Sequence, residues 1–380
     1  MVHGVDSYEC IRASVIIVVH NGRPYLEECL HSLRQALLPD TEVIVVDNGS
    51  VDGSPELVQT LMPEARLVVN STNQGFAVAC CQGAEMAQGE ILVFLNQDTR
   101  VEPDWLRPLL DGFCDPSVGL VTSTILWMDA SEQIQSCGQN VHYTGMVFER
   151  GFGRPKDAFP FPAEVAAVSG ASFAVRRKVW EELGGFTRIF YMYYEETDLS
   201  WRAQRAGYRC RHVPASVVYH AGRIDRPSPV ALYCSFRNRT LMLLANWEWR
   251  TLFLLMPGLL LAELLEWGLA LMRGWTGVSA KARAVFWLLS HGRAIVRLHS
   301  DARRRRLLDD GVMLASTSWR LEPRVITGGA AGRFLVALCN VFFYLNWRFA
   351  RAIVGVWGRA AKPPARKPIP VSQCMPPENE

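Results

Sequence analysis

One pattern recurs four times in the first hundred residues: a short apolar run, an abrupt polar stop, then a segment with helical spacing. The runs are Ser14 to Val19, Glu42 to Val46, Arg66 to Val69 and Ile91 to Leu95. Their apolar positions are consecutive rather than alternate, as in strands covered on both faces. Leu26, Leu30, Leu33 and Leu37 form one stripe of a helix from Tyr25 to Leu38. Ser54 and Pro55 open a second helix. Phe76 to Ala87 makes a third, of small residues, closed by Gly89. Strands alternating with helices predict an α/β domain: a Rossmann-like, mostly parallel sheet flanked by helices.

Beyond Trp105 the periodicity weakens. Val118 to Val121 and Ile125 to Trp127 predict strands, and Phe148 to Pro162, rich in Gly, Pro and aromatics, predicts a loop over the sheet edge. Val165 to Val175 is apolar, with Gly170 allowing close backbone approach. Arg176 to Leu183 predicts a helix stopped by Gly184 and Gly185. A helix from Glu195, with Leu199, Ala203 and Ala206 inward, ends at Gly207. Val217 to His220 is the last strand.

The polar stops carry the candidate chemistry. In a parallel sheet the carboxyl ends of the strands share one edge, where open α/β sheets bind ligands. Asp47, Asp52, Asn73 and Asp98 all follow strands and converge there. In Asn96-Gln97-Asp98 an amide and a carboxylate can grip a divalent cation, and the cation a diphosphate. The same tripeptide also reads as an Asx turn. Glu195 and Glu196 follow the aromatic run Phe190 to Tyr194, whose burial raises a carboxylate's affinity for protons and suits a general base. For Asp198, the helix dipole or a pair with Arg202 is an equal explanation. His220, at a strand end, reads as structural or as part of the same crevice.

A length of 380 residues suggests two domains, and 49% hydrophobic content supplies a large core. The net charge of +3 gives no argument for nucleic acid. Ten scattered cysteines without a C-x-x-C pattern fit neither a zinc site nor a secreted disulfide framework, so free thiols in a reducing compartment are expected. The first residues include Asp6 and Glu9 and no basic leader, so no signal peptide is expected and the catalytic part is placed in the cytoplasm.

Taken together, the pieces resemble the family 2 glycosyltransferases of the GT-A fold, in particular their rhamnosyltransferase-like branch. The resemblance rests on Ser14–Gly22, Val45–Asp52, Asn73–Ala77, Leu95–Thr99, Ser169–Ala171, Gly184–Phe186, Glu195–Arg202 and His220, in that order over residues 12–225. It implies an inverting transfer of a sugar from a nucleoside-diphosphate donor to an acceptor hydroxyl. Rhamnose from dTDP-rhamnose, for a cell-envelope polysaccharide or lipid-linked saccharide, is the first expectation; galactofuranose or N-acetylglucosamine from UDP follows. By position it places the nucleotide at His20, Asn21, Asp47, Asn48, Ser50, Asp52, Asn73, Gly75, Asn96 and Gln97. It places Mg²⁺ or Mn²⁺ at Asp98, Asn96 and His220. Glu196 falls at the base, with Glu195 and Asp198 beside it, and Gly170, Ala171, Gly185, Phe186 and Trp201 fall around the sugar and acceptor. Asn96 stands where a D-x-D motif has an acid, Glu196 where aspartate is common, Cys81 where asparagine is common, and Thr187 where aspartate is common. A nucleotidyltransferase would carry a Gly-rich basic loop after the first strand, whereas this chain has Asn21-Gly22-Arg23-Pro24. A non-catalytic membrane scaffold is the third alternative.

The expected domains are the transferase over 1–225, a helical membrane-associating region over 226–361 and a disordered tail over 362–380. Thr251 to Met272 nearly suffices to span a bilayer, but Glu263 and Glu266 fall on one face. Phe334 to Trp357 is similar, with Arg348 and Arg351. Both fit helices lying at the membrane interface or packed with their charges inward. The run Arg303–Arg306 fits anionic headgroups or a solvated turn equally. Peripheral attachment to the inner face of the cell membrane is therefore expected. The sequence does not decide between a monomer and a homo-oligomer.

Overall fold

A computed structural model describes residues 12–222, 228–322 and 329–357. The proposed tail over 362–380, the leader region and the 225/226 boundary lie outside these residues.

The first hundred residues alternate as their pattern predicts: β1 (Ala13–Val19), α1 (Arg23–Ala36), β2 (Thr41–Asp47), α2 (Ser54–Leu61), β3 (Arg66–Val69), α3 (Phe76–Met86) and β4 (Ile91–Asn96). β4, β1, β2 and β3 lie side by side in parallel. β1 is buried along its whole length. One core packs α1 against one face of the sheet, and a second packs α3 against the other.

The sheet then changes hand. β5 (Thr99–Val101), α4 (Leu106–Asp111) and β6 (Val118–Trp127) lead into a group of short strands: β7 (Ile134–Ser136), β8 (Gln139–Val141), β9 (Val147–Glu149) and β10 (Ala163–Glu164). Next come β11 (Ser172–Arg176), α5 (Arg177–Leu183), α6 (Glu195–Arg205) and β12 (Arg209–His220). β11 runs antiparallel to both β4 and β6, while β12 is parallel to β6 and pairs antiparallel with β5. The sheet is mixed rather than mostly parallel. The expected two strands around residues 118–127 are a single strand, buried nearly throughout. The segment Phe148 to Pro162 is not a free loop: it begins in β9, and Ile134 N–H donates to Arg154 O at 2.8 Å.

Helices α7 (Pro229–Asn246), α8 (Trp249–Met272), α9 (Gly274–Ser290), α10 (Gly292–Arg305), α11 (Asp310–Ser316) and α12 (Gly329–Trp357) follow. A small core of their own, Leu232, Phe236, Ala270, Ala280 and Ala284, joins α7, α8 and α9, and a larger one is shared with the α/β part. Trp247, Leu255, Phe343 and Trp347 share one cluster with Tyr143, Phe190 and Trp201 from the α/β part. The buried ion pair Arg205–Asp310, at 2.7 Å, ties α6 to α11.

The charges of α8 are inward, as one of the two expectations had it. Arg239 of α7 and Lys281 of α9 meet Glu263 and Glu266 at 2.6–2.8 Å. α12 differs: Arg348 and Arg351 are exposed and lie against Tyr344 and Trp347 of their own helix. In the basic run, Arg305 reaches Leu183 O and Arg306 pairs with Glu248, leaving Arg303 and Arg304 exposed.

Candidate active site

The loops after β1, β2, β3 and β4 are laced to one another at the carboxyl edge. His20 N–H donates to Gln97 Oε1 at 2.9 Å, and Asn21 N–H to Ser50 Oγ at 2.9 Å. Asn48 is the knot between the second and third loops. Its Nδ2 donates to Asn73 Oδ1 at 3.0 Å and to Gly75 O, while its Oδ1 accepts from Gln74 N–H at 2.9 Å. The expected convergence of these loops is present, but several of its residues act on the protein. The Asn48 side chain is fully engaged with neighbouring loops. Asp52 accepts from Ser54 Oγ at 2.6 Å and from Arg23 N–H at 3.0 Å, so it shapes the turn and the start of α1 rather than facing a nucleoside. Its partial burial pushes its pKa up, but these hydrogen bonds outweigh that and lower it. Asp47 is different: it is buried, Oδ2 accepts from Ser50 N–H, and Oδ1 has no partner. A buried carboxylate oxygen without a donor is costly in a finished protein and natural in one awaiting a ligand.

The pairing of β5 with β12 sets Thr99 opposite His220, and Ala221 N–H donates to Asp98 O at 2.9 Å. His220 Nε2 thereby stands 3.2 Å from Asp98 Oδ1 and 3.4 Å from Asn96 Nδ2. On its other side, His220 Nδ1 donates to Gln135 Oε1 at 2.7 Å. With Nδ1–H given to Gln135, Nε2 meets the Asp98 carboxylate either as the second N–H of an imidazolium or as a lone pair that shares a cation with it. A ligating histidine typically donates its other ring N–H to an oxygen acceptor in this way. Among the described residues no cluster of three or more His, Cys, Asp or Glu is assembled. Asp98 and His220 thus offer two ligands and leave the remaining positions to a substrate, which suits a phosphate-bound Mg²⁺ or Mn²⁺.

At the other end of the site, Asn96 N–H donates to Ala171 O at 3.0 Å, and the neighbouring Gly170 lies against the Glu196 carboxyl. Two residues therefore separate the end of β4 from the proposed base. Glu196 is half-buried, and its Oε1 accepts from Gln139 Nε2 at 2.9 Å. Burial raises its pKa against the opposing effect of that hydrogen bond. Glu195 is buried, its Oε2 has no partner, and burial followed by repulsion from Glu196 drives its pKa far up. Glu196 is therefore the more readily ionised of the two.

The segment before α6 is bent by positive φ at Tyr191, Tyr193 and Tyr194. Asn238 of α7 holds it, donating from Nδ2 to the carbonyls of Phe190, Met192 and Tyr193 at 2.8–2.9 Å. A Cβ on Gly75 would fall 2.4 Å from the Tyr191 ring, so the third loop needs glycine there.

Three expected site residues lie elsewhere. Asp198 is buried and its carboxylate is taken by Arg202 at 2.7 Å, Thr187 Oγ1 at 2.9 Å and Asn246 Nδ2 at 2.8 Å; it anchors α6 and is not free for chemistry. Phe186 packs in the core with Phe94, Phe173 and Trp180. Trp201 is buried against Trp247, with ring centroids 5.3 Å apart. The indole and phenyl faces satisfied core packing first. Gly185 is a left-handed turn whose carbonyl accepts from Arg202. Sequence reading missed Gln135, Gln139, Glu149 and Asn238. Gln135, Gln139 and Glu149 lie on short strands without visible periodicity, and Asn238 sits inside an apolar helix.

Comparison with known proteins bears on the family and the fold. The sequence pattern of "Glycosyl transferase family 2" matches residues 14–184. N-acetylglucosaminyl-diphospho-decaprenol L-rhamnosyltransferase of Mycobacterium tuberculosis is 28% identical over 260 residues, covering 61% of this chain and 83% of that protein. The pre-mycofactocin glycosyltransferase of the same organism is 28% identical over 75% of this chain and 57% of its own. A structure of GalNAc-T7 with UDP, GalNAc and Mn²⁺ superposes with a TM-score of 0.54 at 19% identity, over 66% of this chain. The chain spans about half of that structure's length, and the likeness is one of fold. Residues 14–184 thus carry the family 2 glycosyl transferase pattern on a GT-A-like fold, and the chain is a glycosyltransferase similar to the mycobacterial rhamnosyltransferase.

Proposed function

We propose that the protein is an inverting, metal-dependent transferase that moves L-rhamnose from dTDP-rhamnose to a hydroxyl of a lipid-linked saccharide of the cell envelope. The observation that carries this reading is the pairing of Asp98 with His220 just past the end of β4, whose Asn96 is linked through Ala171 and Gly170 to Glu196. Asp98 and His220 would hold the cation, with Asn96 beside them. A bound divalent cation supplies the charge that neutralises a leaving diphosphate without proton transfer. Asp47, with its unpartnered oxygen, would receive a donor N–H of the nucleoside base. Glu196 would take the proton from the acceptor hydroxyl, on the face of the sugar opposite the diphosphate. Gln139 holds that carboxylate in place. The donor sugar follows the mycobacterial rhamnosyltransferase relative; UDP-linked galactofuranose or N-acetylglucosamine are the other donors to test.

The reading extends to membrane attachment at the cytoplasmic face. α8 is long and apolar enough to cross a bilayer by length and composition. Its two glutamates are committed to Arg239 and Lys281, however, which favours a helix lying in the interface. Phe253, Leu260, Leu264 and Leu271 form an exposed stripe on α8, and Phe334, Leu338, Leu345 and Phe349 form one on the adjoining α12. Exposed Arg303, Arg304, Arg348 and Arg351 supply charge for anionic headgroups. Such an attachment would bring the base toward a lipid-linked acceptor. Incubation with each candidate nucleotide sugar, Mn²⁺ and a polyprenyl-diphosphate saccharide, read by mass spectrometry of the lipid product, tests the reading. Rhamnosyl product is expected; product from another donor only, or none, would overturn the assignment of substrate.

A further inference from the structure

The hairpin of β8 and β9 places Gln139 directly opposite Glu149. Gln139 is buried, and its amide is locked in one orientation. Thr197 Oγ1 donates to Gln139 Oε1 at 2.8 Å, so the amide oxygen is occupied and both Nε2 protons face away from it. They meet two carboxylates: Glu196 Oε1 at 2.9 Å and Glu149 Oε1 at 3.3 Å. One NH₂ group thus bridges two acids that lie on different elements. The second oxygen of Glu149, Oε2, is buried with no partner. A glutamate needed only for the hairpin would turn this group to water, because a buried unpaired carboxylate oxygen is destabilising.

The electrostatics have a consistent sign. Burial pushes the Glu149 pKa up to about 7; Ser136 and Gln139 hold it down in part, and repulsion from Glu196 adds to the rise. Among the described residues, the groups facing this pair of acids are Glu195 on α6, the Cys80 thiol of α3, the phenols of Tyr193 and Tyr194, and the imidazole of His220. None of them is a lysine or an arginine. A negative charge on Glu149 therefore acts on Glu196 through low-dielectric surroundings.

We propose that Glu149 is a positioning residue for the general base, fixing the orientation and the base strength of Glu196 through the Gln139 amide. The inference rests on the assignment of Glu196 as base. Two charges share one donor, so each makes the other a stronger proton acceptor, and the amide keeps Glu196 aimed beside Gly170. Two substitutions act in opposite directions. Glu149→Gln removes the repelling charge and weakens the base. Gln139→Leu removes the donor that favours the ionised form and leaves the repelling charge.

The direct test is a carbon-13 titration of the full-length chain labelled at glutamate carboxyls, with the Glu196 signal identified by its loss in Glu196→Gln. The midpoint of Glu196 should fall by about half to one pH unit in Glu149→Gln and rise by a similar amount in Gln139→Leu. Turnover of dTDP-rhamnose by Glu149→Gln should drop about 3- to 10-fold in kcat, with donor KM unchanged. A Glu196 midpoint that stays put in both variants, or moves the same way in both, overturns the proposal. If Glu149→Gln does not fold, the same coupling is read from the other side: the Glu149 midpoint should fall in Glu196→Gln, and a Glu149 midpoint that stays put there overturns the proposal. Full turnover in Glu196→Gln would instead remove Glu196 as the base while leaving the measured coupling intact, so the two failures are distinguishable.

Discussion

His220 Nε2 faces Asp98 Oδ1 at 3.2 Å, although one residue closes the last strand and the other follows the fourth. The antiparallel pairing of β5 with β12 brings them together, and Gln135 fixes which imidazole nitrogen carries the proton. Replacing Gln135 by Leu should leave the fold intact and weaken Mn²⁺ affinity about 10- to 100-fold, the usual range for a partner of a ligating histidine. Metal titration followed by calorimetry in the presence of the nucleotide checks this; unaltered affinity would detach Gln135 from the site.

Glu196 is the base of the proposed reaction. Glu196→Gln should lower kcat by about 10²- to 10⁴-fold while donor affinity stays within a factor of two or so. Steady-state kinetics together with equilibrium donor binding separates the two effects. Loss of donor binding in parallel with kcat would mean that Glu196 holds the donor instead.

Asp198 should behave as a fold residue. Removing one partner of a buried pair leaves the other charge stranded, so Asp198→Ala should cost about 3–5 kcal/mol of stability. Arg202, Thr187 and Asn246 would all lose their common acceptor. Chemical denaturation measures the loss. The residual turnover of folded protein should keep the wild-type pH profile; a shifted profile would return Asp198 to the chemistry.

The buried acids make stability depend on pH. In the fold the pKa of Glu149 is raised to about 7, and that of Glu195 is raised further, from an ordinary glutamate value of 4.5. A carboxyl whose folded pKa lies above its unfolded one favours the fold fully below the unfolded value, and that contribution is lost as pH rises through the folded value. The protein without ligands should therefore lose stability between about pH 5 and pH 8. Glu195→Gln, neutral at every pH, should flatten this slope and raise the melting temperature at pH 8. A wild-type melting temperature that is constant or rises across this window would contradict the account.

The exposed stripe on α8 gives a membrane test. Leu260→Asp with Leu264→Asp adds two charges to the exposed apolar stripe, each disfavoured by about 3 kcal/mol in a bilayer interior and by less at its surface. Binding to anionic vesicles should fall at least about tenfold, with nucleotide binding in solution unchanged. Co-sedimentation reads the first and calorimetry the second. Unchanged vesicle binding would place the contact elsewhere.

Much of the fold was legible because consecutive apolar positions and helical stripes leave few alternatives. β1 to β4 and the helices between them lie within a few residues of their expected bounds. The strand-end loops were legible for the same reason, since parallel strands must share an edge. The roles of single side chains were not. Asp47 and Asp52 look alike in sequence, yet one keeps an oxygen unpartnered and the other closes a turn. Trp201 and Phe186 carry no mark separating a site wall from a core. Gln135, Gln139 and Glu149 sit on three-residue strands whose pairing comes from long-range register, which no local pattern encodes. The two glutamates of α8 were visible as a break in an apolar run, but their partners on α7 and α9 were not.

The most direct test of the account is calorimetric binding of dTDP, UDP and GDP to the full-length protein, with Mn²⁺, with Mg²⁺ and with a chelator, repeated on Asp98→Ala. The account predicts that one nucleotide, dTDP first, binds only with metal and that Asp98→Ala abolishes the metal dependence. Equal binding with metal and with chelator, or wild-type behaviour of Asp98→Ala, would contradict it.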